Sequence, residues 1–268
     1  MAQHPPSGAT AVPVLMYHRI CEEASAAMRR FAVPPRQFAA QLRWLAERGY
    51  TGLTVSDFVQ RARGPSGTLP SHPVLLTFDD GFADFGDQAA PLLRAHGLPA
   101  TLYVVAGRVG ATSGWLRGRD AHLPLHDWDA LGRLQEAGTE IGAHGLTHRP
   151  LDGLPDDALA QEVGAPRDLL ARHLGQAPDS FCYPFGFRTA RVRLAVRRAG
   201  YQSACAVRYG PCQASPDADY FDIARHIVPC DLPLADFAAL VEGRPRLAPL
   251  VWNRVRSHLG QAVRSLRP

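Results

Sequence analysis

The chain has 268 residues, 46% of them hydrophobic and 20% charged, with a formal net charge of +4. This is the balance of a globular chain with a sizeable core, and it argues against extended disorder. All 29 basic residues are arginines, scattered rather than gathered into a basic run with interleaved aromatics, so a nucleic-acid-binding module is not expected.

The five cysteines, Cys21, Cys182, Cys205, Cys212 and Cys230, are odd in number and include no C-x-x-C pair. That spacing argues against a disulfide framework or a cysteine zinc site, and points to a reducing compartment. The first 13 residues lack a basic cluster followed by an apolar run, so no signal peptide is expected. No stretch of about 18 apolar residues suggests a membrane span. The expected location is cytoplasmic.

In chain order, residues 1–11 read as a flexible tail, and the apolar run 12–16 as a buried strand ending at Tyr17-His18. Phe38, Leu42 and Leu45 recur at helical spacing within 35–49, which stops at a glycine, and 55–63 gives a second, shorter helix. The continuous apolar run 74–78 suits a parallel strand buried on both faces, and it ends in Asp79-Asp80-Gly81. A helix over 87–96 and a strand over 100–105 follow. Another helix at 128–137 precedes the strand 140–143, which leads into His144. Residues 156–173 read as helix, 180–183 as strand, 191–199 as helix and 203–207 as strand. Strands alternating with helices of about 10–15 residues imply a parallel sheet with crossover helices. With no glycine-rich dinucleotide loop after the first strand, a barrel fits better than an open sheet. In such barrels chemistry sits where strands end, and His18, Asp79, Asp80, His144 and Phe185 all fall just past apolar runs.

Three segments carry candidate chemistry. Asp79 and Asp80 place two like charges at a buried strand end, where burial and repulsion raise both pKa values. A metal ion binding one carboxylate relieves this and leaves the other beside an activated water, although Asp-Asp-Gly is also a common turn. His144 and His148, four residues apart, converge on one ion if the segment makes a helical turn; the bland alternative is two surface histidines. Two imidazoles and a carboxylate suit zinc, and also iron, cobalt or nickel. Residues 181–186, with Tyr183, Pro184, Phe185 and Gly186, form a rigid strand end whose backbone N–H groups can face an oxyanion.

The run Val14-Leu15-Met16-Tyr17-His18, the TFDDG at 77–81, the H-x-x-x-H at 144–148 and the YPFG at 183–186 together resemble the polysaccharide deacetylase family. This is the NodB-homology, or carbohydrate esterase family 4, group, and the opening VPVLMYHRI is similar especially to its poly-N-acetylglucosamine deacetylase branch. The resemblance spans roughly residues 12–245. It implies an α/β fold, a single-domain distorted (β/α) barrel with one divalent metal ion, zinc foremost, acting on an N-acetylated amino sugar or glycoconjugate. By the family pattern Asp79 is the general base, and Asp80, His144 and His148 are the ligands. The Phe185 N–H is the oxyanion donor, with Tyr183, His18 and Arg225 placed around the substrate. An O-acetyl esterase and a non-catalytic carbohydrate-binding protein stay open as alternatives.

Two features depart from the family pattern. Many members carry an arginine where this chain has Cys182, bracing the base; Arg188, Arg191 or Arg225 are the candidates to replace it. No clean match exists for the acid histidine, for which His226, in the apolar stretch 223–228, is the candidate. Trp115 and Trp128 are candidates for sugar stacking or for packing. Residues 246–268 read as a basic amphipathic helix, with Val251, Val255, Leu259 and Val263 at steps of four, suited either to peripheral membrane contact or to packing on the barrel.

Overall fold

The computed structural model describes residues 10–64, 69–208 and 210–244. Eight parallel strands build one curled sheet: β1 (Val14–Tyr17), β2 (Thr51–Leu53), β3 (Pro73–Phe78), β4 (Thr101–Val104), β5 (Glu140–Ala143), β6 (Ser180–Cys182), β7 (Ser203–Cys205) and β8 (His226–Ile227). Their order is β7-β6-β5-β4-β3-β1-β8, with β2 paired to the first half of β3. The two ends of the sheet meet. Ile223 N–H donates to Ala204 O at 3.0 Å, Ala206 N–H to Ile223 O at 2.9 Å and Arg225 N–H to Arg208 O at 3.0 Å. The next residues, His226 and Ile227, pair with Leu15 and Met16 of β1. Segment 223–227 thus closes the sheet into the distorted barrel expected from the alternating pattern.

The helices are α1 (Pro35–Glu47), α2 (Val55–Arg63), α3 (Ala90–Ala95), α4 (Trp128–Glu136), α5 (Asp156–Leu174), α6 (Ala190–Arg198) and α7 (Leu234–Val241). Each crossover starts on local chemistry. Pro35 opens α1, where its fixed φ and missing N–H cost nothing. Thr54, Asp127 and Thr189 cap α2, α4 and α6 by accepting the N–H groups of Asp57, Ala130 and Val192. Phe38, Leu42 and Leu45 of α1 join Leu76, Phe78 and Phe85 in the main core. All six residues of β3 are buried, which is why its sequence is continuously apolar rather than alternating.

The structure departs from the sequence reading at several elements. Thr10–Val12 is a strand paired antiparallel with Cys212–Ala214, so the tail expected over 1–11 does not extend to residues 10 and 11. Pro13, with no N–H to give a ladder, divides the run 12–16 between this strand and β1. The helix expected over 87–96 begins as a π-helix at Phe85–Ala89 and continues as α3. The short strands β2 and β8 offer too few residues for a periodic signal. Residues 1–9 and the expected C-terminal helix lie outside the described residues. Among the described residues no helix is long and apolar enough to cross a membrane.

Candidate active site

Strand register sets the site. Tyr17 is level with Phe78 and Val104 with Ala143. Asp79 N–H donates to Tyr17 O at 3.0 Å and His144 N–H to Val104 O at 2.8 Å. The ends of β1, β3 and β5 therefore deliver His18, Asp79-Asp80 and His144 to one mouth of the barrel, and β6 delivers Tyr183 and Phe185. His18, Asp79, Asp80, His144, His148 and Phe185 line a pocket of ≈ 130 Å³. That is well below the roughly 300–1,000 Å³ of drug-sized sites, and suits an acetamido group with part of one sugar ring.

Asp80 Oδ1 lies 3.4 Å from His144 Nε2 and 3.2 Å from His148 Nε2. His144 Nδ1 faces Cys182 O at 2.8 Å. A carbonyl only accepts, so Nδ1 carries the proton and Nε2 turns a lone pair toward Asp80. Asp80 Oδ1 is buried and receives no hydrogen bond of normal geometry. Lone pairs facing a buried carboxylate oxygen repel unless a cation sits between them. Ligands at about 2.0–2.2 Å around a tetrahedral ion are roughly 3.2–3.6 Å apart, which matches this triad. The three residues thus fit a divalent cation such as zinc. Burial penalises the Asp80 charge; without an ion it is protonated histidines that hold its carboxyl well below the usual range, and a bound cation would take over that part.

The second carboxylate has a different partner. Arg225, fully buried, donates to Asp79 Oδ1 at 2.7 Å and Oδ2 at 2.8 Å. Its remaining N–H groups reach Ala206 O at 3.2 Å, Thr77 Oγ1 at 3.1 Å and Cys182 Sγ at 3.0 Å. Burial alone would raise the Asp79 pKa; the guanidinium reverses this and holds it below the ordinary carboxylate value. Asp79, His144 and Cys182 also cluster closely enough to suggest a metal site, but Arg225 already neutralises Asp79 there and contacts the thiol.

Loop geometry completes the site. The non-glycine residues with positive φ among the described residues are Asp80 (φ 78°), His148 (φ 62°) and Phe185 (φ 58°), and all three line the pocket. Such conformations cost of order 1–3 kcal/mol each and persist where surrounding bonds over-determine them. His148 does not reach the site through a helical turn. Residues 144–148 form an irregular loop with Gly145 at φ 77°. Glu162 on α5 clamps that loop, accepting the Leu146 and Thr147 N–H groups, both at 3.0 Å, and the Thr147 hydroxyl. The His148 ring is flanked by Trp115, stacked at 4.7 Å, and by Phe185, edge-on at 4.6 Å.

Four sequence expectations change. Arg225, placed among substrate contacts, instead stands fully buried behind Asp79 and supplies the charge missing at Cys182. Arg188 pairs with Asp222 and Arg191 with Asp156, so neither takes that role. His226, the candidate acid, is buried and does not line the pocket. Strand alternation points Arg225 and Ile227 one way and His226 the other, and it is Ile227 that lines the pocket. Tyr183, placed near the substrate, lines the pocket, but its hydroxyl donates to Phe221 O at 3.0 Å and is committed to the fold. Trp128 stacks on His173 at 4.1 Å, between α4 and α5, whereas Trp115 lines the pocket. All five cysteines are free. The sequence reading missed Glu162. Its signal was a carboxylate on the buried stripe Leu159, Val163 and Pro166 of an amphipathic helix.

A parallel barrel that gathers two carboxylates and two histidines at its C-terminal mouth defines a class, the barrel hydrolases that activate water at a carboxylate–histidine site. The sequence model for polysaccharide deacetylases matches residues 66–204, and the chain belongs to the polysaccharide deacetylase family. Members of this family are carbohydrate deacetylases that generally use a divalent metal. The chain is 26% identical over 234 residues to YxkH of Bacillus subtilis (strain 168), a protein named for the same family; the match covers 86% of this chain and 76% of that one. It is 23% identical over 238 residues to the poly-beta-1,6-N-acetyl-D-glucosamine N-deacetylase of Staphylococcus epidermidis, covering 81% and 78%. Among solved structures it shares its fold with the Streptococcus pyogenes deacetylase PplD (TM-score 0.73, 22% identity, 87% of this chain and 99% of that one). It shares it also with IcaB from Ammonifex degensii (TM-score 0.70, 23% identity, 87% and 97%).

Proposed function

We propose that this chain removes the N-acetyl group from an N-acetylated amino sugar within a saccharide or glycoconjugate, with one zinc ion held by Asp80, His144 and His148. The observation that carries the reading is the buried, unsatisfied Asp80 Oδ1 facing two imidazole nitrogens, next to a carboxylate braced by Arg225. The activity named for the Staphylococcus epidermidis relative supports an amino-sugar polymer as substrate. Two nitrogen ligands and one oxygen ligand favour zinc. When bound, the ion would polarise the acetyl carbonyl and acidify a water molecule.

The chain's own residues divide the remaining work. Asp79, kept ionised by Arg225, accepts the proton of the attacking water. The Phe185 N–H takes part in neither turn bond at its strand end, Gly186 N–H to Tyr183 O and Phe187 N–H to Pro184 O, and is assigned to the developing oxyanion. With His226 turned away, His18 is the pocket-lining imidazole outside the ligand triad. Burial holds its pKa below the ordinary imidazole value although the Asp80 and Asp79 charges oppose the shift, so its assignment as donor to the leaving amine rests on its place in the pocket. The buried Arg225 removes the main reason to consider a non-catalytic carbohydrate-binding protein.

Acetate release from N-acetylglucosamine oligomers, set against an O-acetylated sugar, tests the reaction. Asp79→Asn is expected to keep bound zinc and lose turnover, and Asp80→Asn to lose both. Full activity of Asp79→Asn, or release only from the O-acetyl substrate, would refute the proposal.

A further inference from the structure

The wall of the same pocket carries a cation that the hydrolysis does not use. Arg30 lies in the segment between β1 and α1 and lines the pocket together with Met28, Phe31, Trp115, Leu116 and Ile227. Its guanidinium lies over the Phe31 ring, 4.4 Å from the centroid, and the His18 ring lies 4.5 Å from the same ring. Phe31 thus contacts both the candidate proton donor and Arg30.

Arg30 makes no ion pair or hydrogen bond among the described residues, and its Nε is buried without a partner. A second donor in the same wall shares this state, because Trp115 Nε1 is also buried and unpartnered. The other charged groups of the pocket have roles in the hydrolysis proposed above. Asp79 is paired with Arg225, and Asp80 faces His144 and His148. The side chain as a whole is half-buried, and burying its Nε is unfavourable unless an acceptor replaces the lost hydration. The stack on Phe31 returns part of this without satisfying any N–H. Two orphaned donors and one unmatched positive charge describe a site complementary to an anion, and a guanidinium fork is the group best shaped for a carboxylate or phosphate.

We infer that Arg30, assisted by the Trp115 indole N–H, binds an anionic substituent of the substrate, a carboxylate or a phosphate carried on or next to the acetylated sugar. The inference rests on the deacetylation proposed above and narrows its substrate to anionic amino sugars. The arginine-only positive charge of the chain suits the approach of such a ligand.

Three probes test it: a neutral N-acetylglucosamine disaccharide, a glucuronate-N-acetylglucosamine disaccharide, and N-acetylglucosamine 1-phosphate. The wild-type protein is expected to favour at least one anionic probe over the neutral one in kcat/KM by about tenfold or more, the scale of a charged hydrogen bond. Which anionic probe is favoured distinguishes carboxylate from phosphate. In Arg30→Gln the ratio of anionic to neutral kcat/KM should fall to about one. Trp115→Phe, which keeps the ring on His148 and deletes only the N–H, should lower it part of the way. An anionic-to-neutral ratio that Arg30→Gln leaves unchanged, or a wild-type preference for the neutral probe, overturns the inference. Calorimetric titration of D-glucuronate and inorganic phosphate into zinc-loaded wild type and Arg30→Gln reads the site without turnover. Weaker binding to the variant supports the anion site, and equal binding refutes it. If no probe releases acetate, deacetylation itself fails, while the titration still decides the anion site.

Discussion

Replacing Arg225 by methionine isolates the brace of the catalytic carboxylate. The substitution keeps length and volume and removes five N–H donors, all of which reach partners in the folded protein, two on Asp79 and one each on Thr77, Cys182 and Ala206. Removing one partner of a fully buried pair leaves the other charge uncompensated and typically costs about 3–5 kcal/mol. The pH dependence follows from the direction of each shift. In the wild type the Asp79 carboxyl lies below its ordinary value, so its contribution is present above the unfolded value of about 4 and is lost as pH falls through the depressed folded value. In the variant burial, the largest influence, is opposed only by His144 and His18 and is expected to raise the folded value above the unfolded one. Its destabilisation is then fullest above that raised value and shrinks as acid protonates Asp79. Urea denaturation at pH 7.5 and pH 5 should therefore show a stability gap that narrows at the lower pH. Acetate release should fall together with stability at neutral pH. Adding Cys182→Arg to Arg225→Met returns a guanidinium to the same place from the end of β6. It should recover part of both losses, giving a coupling well outside the roughly 0.5 kcal/mol expected of independent sites. A single variant within about 1 kcal/mol of wild type with unchanged turnover would refute the assignment of Arg225 as the brace.

Glu162→Ala should release the 144–148 loop and weaken zinc binding by about 10–100-fold, the usual effect of losing an outer support, as measured by chelator competition. His18→Gln should lower kcat by about 10²–10⁴-fold, while His226→Asn should leave kcat nearly intact; the reverse ranking would return the proton donor to β8. Burial pushes the Cys212 thiol up to about 12 and also raises Cys182 and Cys205. Burial raises Cys21 as well, so access decides: a thiol reagent applied to the native protein at pH 8 should label the half-buried Cys21 and Cys230 and spare the three buried thiols, as read by mass spectrometry.

The sequence by itself determined the alternating parallel architecture, because β3 and its neighbours are buried on both faces and so had to be written as continuous apolar runs. It also placed His18, Asp79, Asp80, His144 and Phe185 at strand ends, since parallel strands deliver their C-terminal residues to one mouth. What it left undecided depended on contacts between distant segments. The arginine absent at residue 182 returns at 225 because closure of the barrel brings β8 beside β1 and opposite β6, a juxtaposition of residues 43 apart in sequence. Strand alternation, legible only once β8 is known to be a strand, then chooses Arg225 over His226 as the inward-facing residue. The clamp from Glu162 depends in the same way on α5 packing against the histidine loop. Local patterning fixed which residues reach the mouth; three-dimensional closure decided which charge neutralises which.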